Sequence, residues 1–262
     1  MQNVYKMYIG GEWVHANSGQ TYNIINPGNE DVLAKVPLGN EDDAKAAIDA
    51  ARTAFDSGAW SSMSPAERAG YIWKLSDLLE KQAAMFADVE SLNQGKTLRY
   101  AKENDIPFII DNLRFFAGAA RNLEGRAAGE YIDHHTYKRH EGMGMSVIRR
   151  EPIGVVAAIV PWNYPLYIAC WKMGPALAAG NTMVIKPASW TPLTLLEFMK
   201  LVERAGIPKG VVNVVIGPGE TVGEELAKSG KVDMITFTGD THTGKNIMKA
   251  AASNVKNIHL EL

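Results

Sequence analysis

The sequence predicts an α/β fold in which a parallel sheet is covered by helices on both faces. From residue 151 onward, short β-rich runs alternate with longer helical runs, as in right-handed strand–helix–strand crossovers. Before this part the pattern is mostly helical, and a polar stretch with scattered glycines separates the two. We therefore expect residues 1–117 to form an N-terminal helical part, 118–150 a protruding hairpin arm, and 151–262 the parallel-sheet part.

Five β-rich runs supply the strands of the predicted sheet. They are Gly154–Val160, Thr182–Ile185, Val211–Ile216, Met234–Phe237 and Asn257–Glu261. Four helical runs lie between them and open at Pro165, Pro192, Thr221 and Thr243. Ligands of such sheets bind beyond the carboxyl ends of the strands. The residues that directly follow the strands are therefore the first candidates for a site.

Capping signals mark the helices of the N-terminal part. The run Asn40–Phe55 begins with a capping residue and three acids, and its apolar residues fall on one helical face. Ser64 and Glu67 have the spacing of a capping box, which predicts a helix that continues to Gly95. A third helical stretch follows and is expected to break or kink at Pro107.

The arm at 118–150 ends in Met145–Arg150, whose alternating polarity favours an exposed strand. His134, His135 and His140 lie in this arm without cysteine or acid partners at ligand spacing. This arrangement argues against a metal site.

Composition argues against several classes of function. With 27 basic and 29 acidic side chains the formal net charge is −2, which is not typical of a nucleic-acid-binding protein. No apolar run approaches the roughly 20 residues of a membrane-spanning helix, and no secretory signal is visible, so we expect no membrane association. The single cysteine, Cys170, cannot form an intrachain disulfide and favours a cytoplasmic location.

Two glycine-rich segments follow predicted strands, and each is similar to a nucleotide-binding motif. Gly217–Gly223 has one residue too many for G-x-G-x-x-G, so it suits either a phosphate-binding turn or a tight strand-to-helix turn. Gly239–Asn246 nearly matches the P-loop, but Asn246 has no hydroxyl for magnesium. No other parallel strand ends in an acid that could serve as a second magnesium anchor, so a P-loop NTPase is disfavoured.

Several separate motifs, in order, closely resemble those of the NAD(P)-dependent aldehyde dehydrogenases. They are Pro161–Pro165, Trp171–Leu177, Lys186–Pro192, Gly210–Asn213, Phe237–Thr241 and Leu260–Leu262. The resemblance covers nearly the whole chain from Tyr8, and Phe115–Tyr131 looks most like the betaine-aldehyde and aminobutyraldehyde branch. It implies a Rossmann-like cofactor domain, NADP or NAD as cofactor, an aldehyde as small-molecule substrate, and a homo-oligomer in the full-length form.

The resemblance also implies a reaction. A cysteine thiolate attacks the aldehyde, hydride passes to the nicotinamide, and water activated by a carboxylate hydrolyses the thioester. By this resemblance Asn163 is the donor to the thiohemiacetal oxygen and Glu261 is the general base. Taken from the residues alone, Asn163 also suits a local turn before Pro165, and Glu261 a solvated acid.

The residues that the resemblance assigns to the cofactor follow the predicted strands. They are Pro161, Trp162, Lys186, Ser189, Gly217, Thr238, Gly239 and Asp240. Ser189 stands where many NAD-preferring members carry a glutamate, and a hydroxyl there would tolerate or bind a 2′-phosphate. Asp240 stands where the family commonly has serine. Because a carboxylate facing a phosphate is unfavourable, we expect Asp240 to turn away and cap the following helix.

The family's nucleophilic cysteine and the rest of its catalytic domain lie beyond Glu261, so we expect both to be absent from this chain. Cys170 lies in an apolar helical run and is expected to be a buried small hydrophobe. Two interpretations stay open. The chain is either the cofactor-binding half of an oxidoreductase, inactive by itself and completed by a catalytic half, or a non-catalytic nucleotide-binding module or partner subunit.

Overall fold

The computed structural model describes residues 3–123, 126–132 and 143–262 of the chain. Its strands are β1 (Asn3–Val4), β2 (Met7–Ile9), β3 (Glu12–Val14), β4 (Thr21–Ile25), β5 (Val32–Pro37), β6 (Arg126–Ile132), β7 (Met143–Ile148), β8 (Val155–Ile159), β9 (Thr182–Lys186), β10 (Val212–Val214), β11 (Met234–Thr238) and β12 (Asn257–Glu261). Its helices are α1 (Glu41–Asp56), α2 (Pro65–Glu80), α3 (Ala83–Gln94), α4 (Leu98–Tyr100), α5 (Ile106–Ala119), α6 (Pro165–Ala178), α7 (Leu193–Ala205), α8 (Glu224–Lys228) and α9 (Thr241–Ala251).

A central sheet has the strand order β12-β11-β8-β9-β10-β2-β3. The strands from β12 to β10 are parallel to one another, and β2 and β3 extend the sheet in antiparallel orientation. Helix α1 contacts β8, β9 and β10 on one face, together with α8, while α6 covers β8 and β9 beside α5 and α7. The buried apolar residues of these layers form one core. This arrangement confirms the predicted α/β fold.

The chain reverses its direction of travel across the sheet between β8 and β11. From β8 it proceeds to β9 and β10 on one side, and it then returns to place β11 and β12 on the other side. At such a switch point the connections lead away from each other and leave a crevice at the carboxyl ends of the strands. The segments that follow β8 and β11 therefore border the crevice.

The five predicted parallel strands are present, each within two residues of the predicted bounds. The predicted capping residue of α1, Asn40, accepts hydrogen bonds from two backbone amides. At α2 the Ser64 hydroxyl and the Glu67 carboxylate form the predicted capping box. The predicted exposed strand near residue 145 is β7, which pairs antiparallel with β6. The three histidines of the arm lie outside the described residues.

The structure corrects the N-terminal part in two places. It is not purely helical, because β1 to β5 precede α1 and two of these strands join the central sheet. Strands this short show too little alternation to be recognised in a sequence. The helix predicted from Ser64 to Gly95 is two helices, interrupted at Lys81 and Gln82. Near Pro107, where a break or kink was expected, the helix changes its geometry: a π-helical turn at Ala101–Asp105 leads into α5.

In the part of the chain that the structure describes, no helix is both long and apolar enough to cross a membrane. The same residues contain no group of three or more histidine, cysteine or acidic side chains placed to hold a metal ion.

Candidate functional site

A cleft of about 790 Å³ lies at the carboxyl ends of β8, β11 and β12. It is termed the aromatic cleft here, because Tyr100, Phe108, Tyr164, Tyr167 and Trp171 line it. The two residues assigned to catalysis, Asn163 and Glu261, line the same cleft, as do Pro161 and Thr238. Folding therefore brings residues almost 100 positions apart in the sequence into one cleft.

The aromatic wall comes from the packing of α5 against α6. The Phe108 and Tyr167 rings stack with centroids 4.0 Å apart, and the Trp171 ring lies tilted against both. Three acids, Glu103, Asp105 and Asp111, line the cleft beside these rings. The cleft thus combines the faces of aromatic rings with negative charge.

Behind this wall lies a buried cluster centred on Lys96. Its ammonium donates a hydrogen bond to Asp105 and lies 4.4 Å from the centroid of the Tyr164 ring. It is also 4.0 Å from Glu90, which is fully buried. Burial raises the pKa of Glu90 to about 7, although the charge of Lys96 and a contact with Thr194 oppose the shift. The Lys96 ammonium therefore lies close to two carboxyl groups, and it contacts the ring of Tyr164, the residue next to Asn163.

The register of β11 and β12 positions the Glu261 carboxylate. Thr238 pairs with Glu261, and its hydroxyl donates to Glu261 Oε2 at 3.2 Å. Two residues earlier on each strand, the Thr236 hydroxyl lies 3.1 Å from His259 Nδ1 and accepts a hydrogen bond from Lys172 at 2.8 Å. Burial lowers the pKa of Lys172 to about 8, while the charge of Glu261 acts in the opposite direction. Polar side chains on β11 and β12 therefore continue from Glu261 to the buried Lys172.

A second cleft, of about 500 Å³, lies between the segment Gly219–Lys228 and α9. It is termed the helix cleft here, and Gly219, Gly223, His242 and Asn246 are among the residues that line it. Gly219 leaves it open, because a Cβ atom at that position would have no neighbour within 4 Å.

Lys186 ends β9 below the helix cleft. Its side chain approaches Gly223, since a Cβ atom placed there would lie 3.7 Å from Lys186 Cδ. The residue is 4% exposed, and its ammonium donates one hydrogen bond, to the carbonyl of Pro187 at 3.1 Å. Burial lowers the pKa of this amine to about 8. An ammonium has three donors, so two of them have no partner among the described residues.

A third cleft, of about 620 Å³, is lined by Trp162, Ser189, Trp190 and Pro218 and is termed the tryptophan cleft. The sequence neighbours of two of these residues line the other two clefts. Pro161, next to Trp162, lines the aromatic cleft, and Gly219, next to Pro218, lines the helix cleft. The three clefts are therefore neighbours along the carboxyl edge of the sheet.

Side chains from three parts of the chain hold the loop that carries Ser189. Tyr22 donates a hydrogen bond to the backbone carbonyl of Ser189 at 2.6 Å, and Asn93 donates to that of Trp190 at 2.9 Å. The Ser189 hydroxyl itself donates to the carbonyl of Gly217 at 3.3 Å. Its proton is therefore already engaged within the protein.

Packing accounts for two of the glycines that were assigned to the cofactor. A Cβ atom on Gly217 would lie 2.6 Å from the carbonyl oxygen of Gly39. A Cβ atom on Gly239 would meet the Phe237 ring, and the Gly239 amide already donates to the carbonyl of Glu261 at 3.1 Å. Close packing thus requires glycine at both positions, and their contact with a cofactor stays a prediction.

Asp240 caps α9, as expected. Its carboxylate accepts hydrogen bonds from the Thr243 amide at 3.0 Å and from the Thr243 hydroxyl at 2.5 Å, which lower the pKa of the carboxyl group. The place where an external anion would bind at this helix N-terminus is therefore taken by a carboxylate of the protein. Because α9 starts at Thr241, the near-match to a P-loop forms a helix and not a phosphate-binding loop.

The sequence model of the aldehyde dehydrogenase family matches residues 13–262. The chain belongs to this family. A betaine aldehyde dehydrogenase of Bacillus subtilis (strain 168) is 48% identical over 256 residues, which cover 98% of this chain and 50% of that protein. The aldehyde dehydrogenase 1A1 of Homo sapiens is 42% identical over 259 residues, again 98% of this chain and 50% of that protein.

Solved structures of aldehyde dehydrogenases have the same fold. An aldehyde dehydrogenase from Bacillus cereus, in a complex with NAD+, has a TM-score of 0.90 and 43% identity over 99% of this chain and 51% of that chain. A betaine aldehyde dehydrogenase from Staphylococcus aureus, also with NAD+, has a TM-score of 0.90 and 41% identity over 98% of this chain and 49% of that chain. The resemblance in the motifs is confirmed, and the chain spans about half the length of the relatives it matches.

Cys170 is fully buried in α6. Burial, aided by the charge of Glu90, raises the pKa of its thiol well above the usual value, so the reactive thiolate is disfavoured. The structure confirms that this cysteine is a buried small side chain. It has none of the exposure that a nucleophile requires.

Sequence reasoning missed most residues that line the clefts. The aromatic wall of Phe108, Tyr167 and Trp171 was overlooked because rings at helical spacing more often belong to a core. His242 and Asn246 of the helix cleft are four residues apart and therefore share one side of α9, which is a signal the sequence contains. The sequence does not show that this side lines a cleft, because the cleft forms only when α8 packs beside α9.

We predict that the first two glycines of the first glycine-rich turn, Gly217 and Gly219, differ in what they contribute to stability. Gly217→Ala forces a methyl group against Gly39 and Val222, and should lower the free energy of unfolding by about 1–3 kcal/mol. Gly219→Ala, which meets open space, should leave it nearly unchanged. Thermal unfolding of both variants measures this, and equal losses would contradict the packing argument.

Proposed function

We propose that this chain is the cofactor-binding part of an NAD-dependent aldehyde dehydrogenase, and that it contributes Asn163 and Glu261 to the oxidation of an aldehyde to a carboxylic acid. The observation that carries the proposal is the buried Lys186 ammonium, with two donors that lack a partner, beside the open helix cleft. Buried donors without a partner are costly, and hydroxyls of a bound nucleotide would satisfy them. The NAD+ complexes of similar structures support the choice of ligand.

The order of the clefts suits a dinucleotide whose adenosine lies in the helix cleft and whose nicotinamide lies toward the aromatic cleft. The helix cleft, with its open Gly219, suits an adenosine, and Lys186 suits the hydroxyls of its ribose. Pro161 and Trp162 lie on the way to the aromatic cleft. When bound, the nicotinamide supplies the hydride acceptor. Thr238, Gly239 and Asp240 would border the middle of the ligand, where the capping carboxylate weakens the attraction for a pyrophosphate.

The residues of the aromatic cleft have distinct roles in this proposal. The Asn163 amide donates a hydrogen bond to the substrate oxygen that gains negative charge, without a titrating proton. The Glu261 carboxylate accepts a proton from the water that hydrolyses the acylated enzyme, and Thr238 holds one of its oxygens.

The nucleophile is the part that these 262 residues do not offer in a reactive form. Cys170 is the one cysteine of the sequence, and it is buried. We therefore expect the chain by itself to oxidise no aldehyde, and Cys170→Ala to leave nucleotide affinity unchanged. Aldehyde-dependent NADH formation that is lost in this variant would contradict the first expectation, and a changed nucleotide affinity of the variant would contradict the second.

The acids and rings of the aromatic cleft favour an aldehyde that carries a positive charge. Glu103 and Asp111 offer negative charge at its rim, and Tyr164, Tyr167 and Trp171 offer ring faces to a cation. The betaine aldehyde dehydrogenases among the relatives support this substrate class.

The nucleotide site is tested by calorimetry with NAD+ on the chain itself. Lys186→Met should weaken binding at least about tenfold, because loss of a charged hydrogen bond typically costs 1.5–3 kcal/mol. In the unchanged chain, affinity should fall as the pH rises through about 8, because the amine loses its proton there. Lys256→Met is the matched control, since the pKa of this buried lysine is also lowered to about 8, but it lies at the amino end of β12. Equal effects of the two substitutions would contradict the assignment of Lys186.

The role of Asp240 is tested by Asp240→Ser. Serine also caps helices, so the melting temperature should change little, while removal of the carboxylate should strengthen NAD+ binding several-fold. Unchanged or weaker binding with an intact fold would show that the nucleotide phosphates do not approach the start of α9.

The substrate class is tested with choline and its uncharged isostere 3,3-dimethylbutan-1-ol. Choline should quench the fluorescence of the chain more strongly than the isostere, and Asp111→Asn should reduce the difference, because the cleft attracts the cation by its charge. If Trp171 is the fluorophore that choline quenches, Trp171→Phe should remove the quenching. Equal binding of the two compounds would exclude selection by charge.

A further inference from the structure

We infer that the helix cleft discriminates against a nucleotide with a 2′-phosphate, and that Glu220 and Glu224 are the residues that determine this preference for NAD+ over NADP+. The inference rests on the proposed nucleotide site and deepens it. It departs from the expectation that the sequence alone suggested, in which Ser189 leaves room for NADP.

The first observation is the uncompensated charge of the cleft wall. Glu220 and Glu224 are four residues apart on the π-helical turn and the start of α8, so both project from one side, and both line the helix cleft. Neither forms a hydrogen bond or salt bridge with a described residue. Their neighbour Glu225, in contrast, is 3.1 Å from Lys228 and lies outside the cleft lining. Both carboxylates of the wall therefore keep their full charge toward a ligand.

The second observation is the small amount of positive charge that opposes these carboxylates. Lys186 lies beneath the cleft, and it is a single ammonium, desolvated by burial. On the opposite wall, Thr243 and Asn246 are uncharged, and His242 is the one titratable side chain among the lining residues of that wall. A ribose phosphate adds about 1.5 to 2 negative charges. The cleft has more negative than positive groups to meet it.

The third observation concerns the hydroxyl of Ser189. Its proton is donated to the carbonyl of Gly217, so the oxygen can only accept a further hydrogen bond. A ribose hydroxyl can donate to it, whereas a phosphate dianion has no proton to donate. Ser189 lines the neighbouring tryptophan cleft, so a ribose held between the two clefts would find an acceptor there, while a 2′-phosphate would gain no hydrogen bond from it.

Calorimetry on the chain with AMP and 2′,5′-ADP tests the inference, because these two probes differ only in the 2′-phosphate. We expect 2′,5′-ADP to bind about tenfold more weakly at low salt, and the difference to shrink at high salt as the charges are screened. Glu220→Gln combined with Glu224→Gln should bring the two affinities close together. Glu151→Gln is the matched control, since it removes an exposed carboxylate that precedes the amino end of β8 and should leave the difference unchanged.

The outcomes separate this inference from the proposed function. If AMP and NAD+ bind but 2′,5′-ADP binds as well as AMP, or if the double variant keeps the full difference, the discrimination by the two glutamates is wrong and the nucleotide site stands. If none of the probes binds, both are overturned. Salt-dependent discrimination that the double variant loses, with an unchanged affinity for AMP, supports the inference, because a merely structural role of the glutamates would change both affinities.

Discussion

The change of direction between β8 and β11 is the constraint on which the rest of the molecule depends. Because the chain leaves β8 toward one side and returns on the other, the loops after these two strands diverge and leave their carboxyl ends uncovered. Asn163 follows the first strand of this pair, and Thr238 ends the second. Glu261 joins them because β12 pairs with β11 in a register that sets it opposite Thr238. The topology of the sheet therefore determines which residues meet in the proposed site.

The parallel sheet could be predicted from the sequence because each of its strands is buried and contiguous, and separated from the next by a helix with its own start signal. Ser64 and Asn40 fixed two helix starts in the same way, through local hydrogen bonds. Strands β1 to β5 were not predicted, because runs of two to six residues show too little alternation. The place of β2 and β3 in the central sheet also depends on a partner that is distant in sequence. Met7, for example, is buried in β2, which pairs with β10 some 200 residues later.

The site could be predicted in part, and the division has a physical basis. Asn163, Lys186 and Glu261 lie at strand ends, where the fold alone makes them candidates. Gly217 shows the limit of this reasoning, because a glycine demanded by the backbone of Gly39 looks the same in a sequence as one demanded by a phosphate. The sequence also does not reveal where the Ser189 proton goes, which depends on the loop that Tyr22 and Asn93 hold in place.

The burial of Lys172 and Lys186 lowers the stability of the folded chain. Burial lowers the pKa of each from 10.5 to about 8, so the folded chain binds these protons less tightly than the unfolded chain. Each such shift corresponds to a destabilisation on the order of 3 kcal/mol below pH 8, which is relieved as the pH rises toward 10.5. For Lys172 this shift already includes the favourable charge of Glu261, and its ammonium also donates a hydrogen bond to Thr236. Lys186 has one backbone carbonyl as its partner among the described residues. In the proposed function the hydroxyls of a nucleotide supply the remaining hydrogen bonds, so the cost of burying this lysine supports the proposal that a ligand completes the helix cleft.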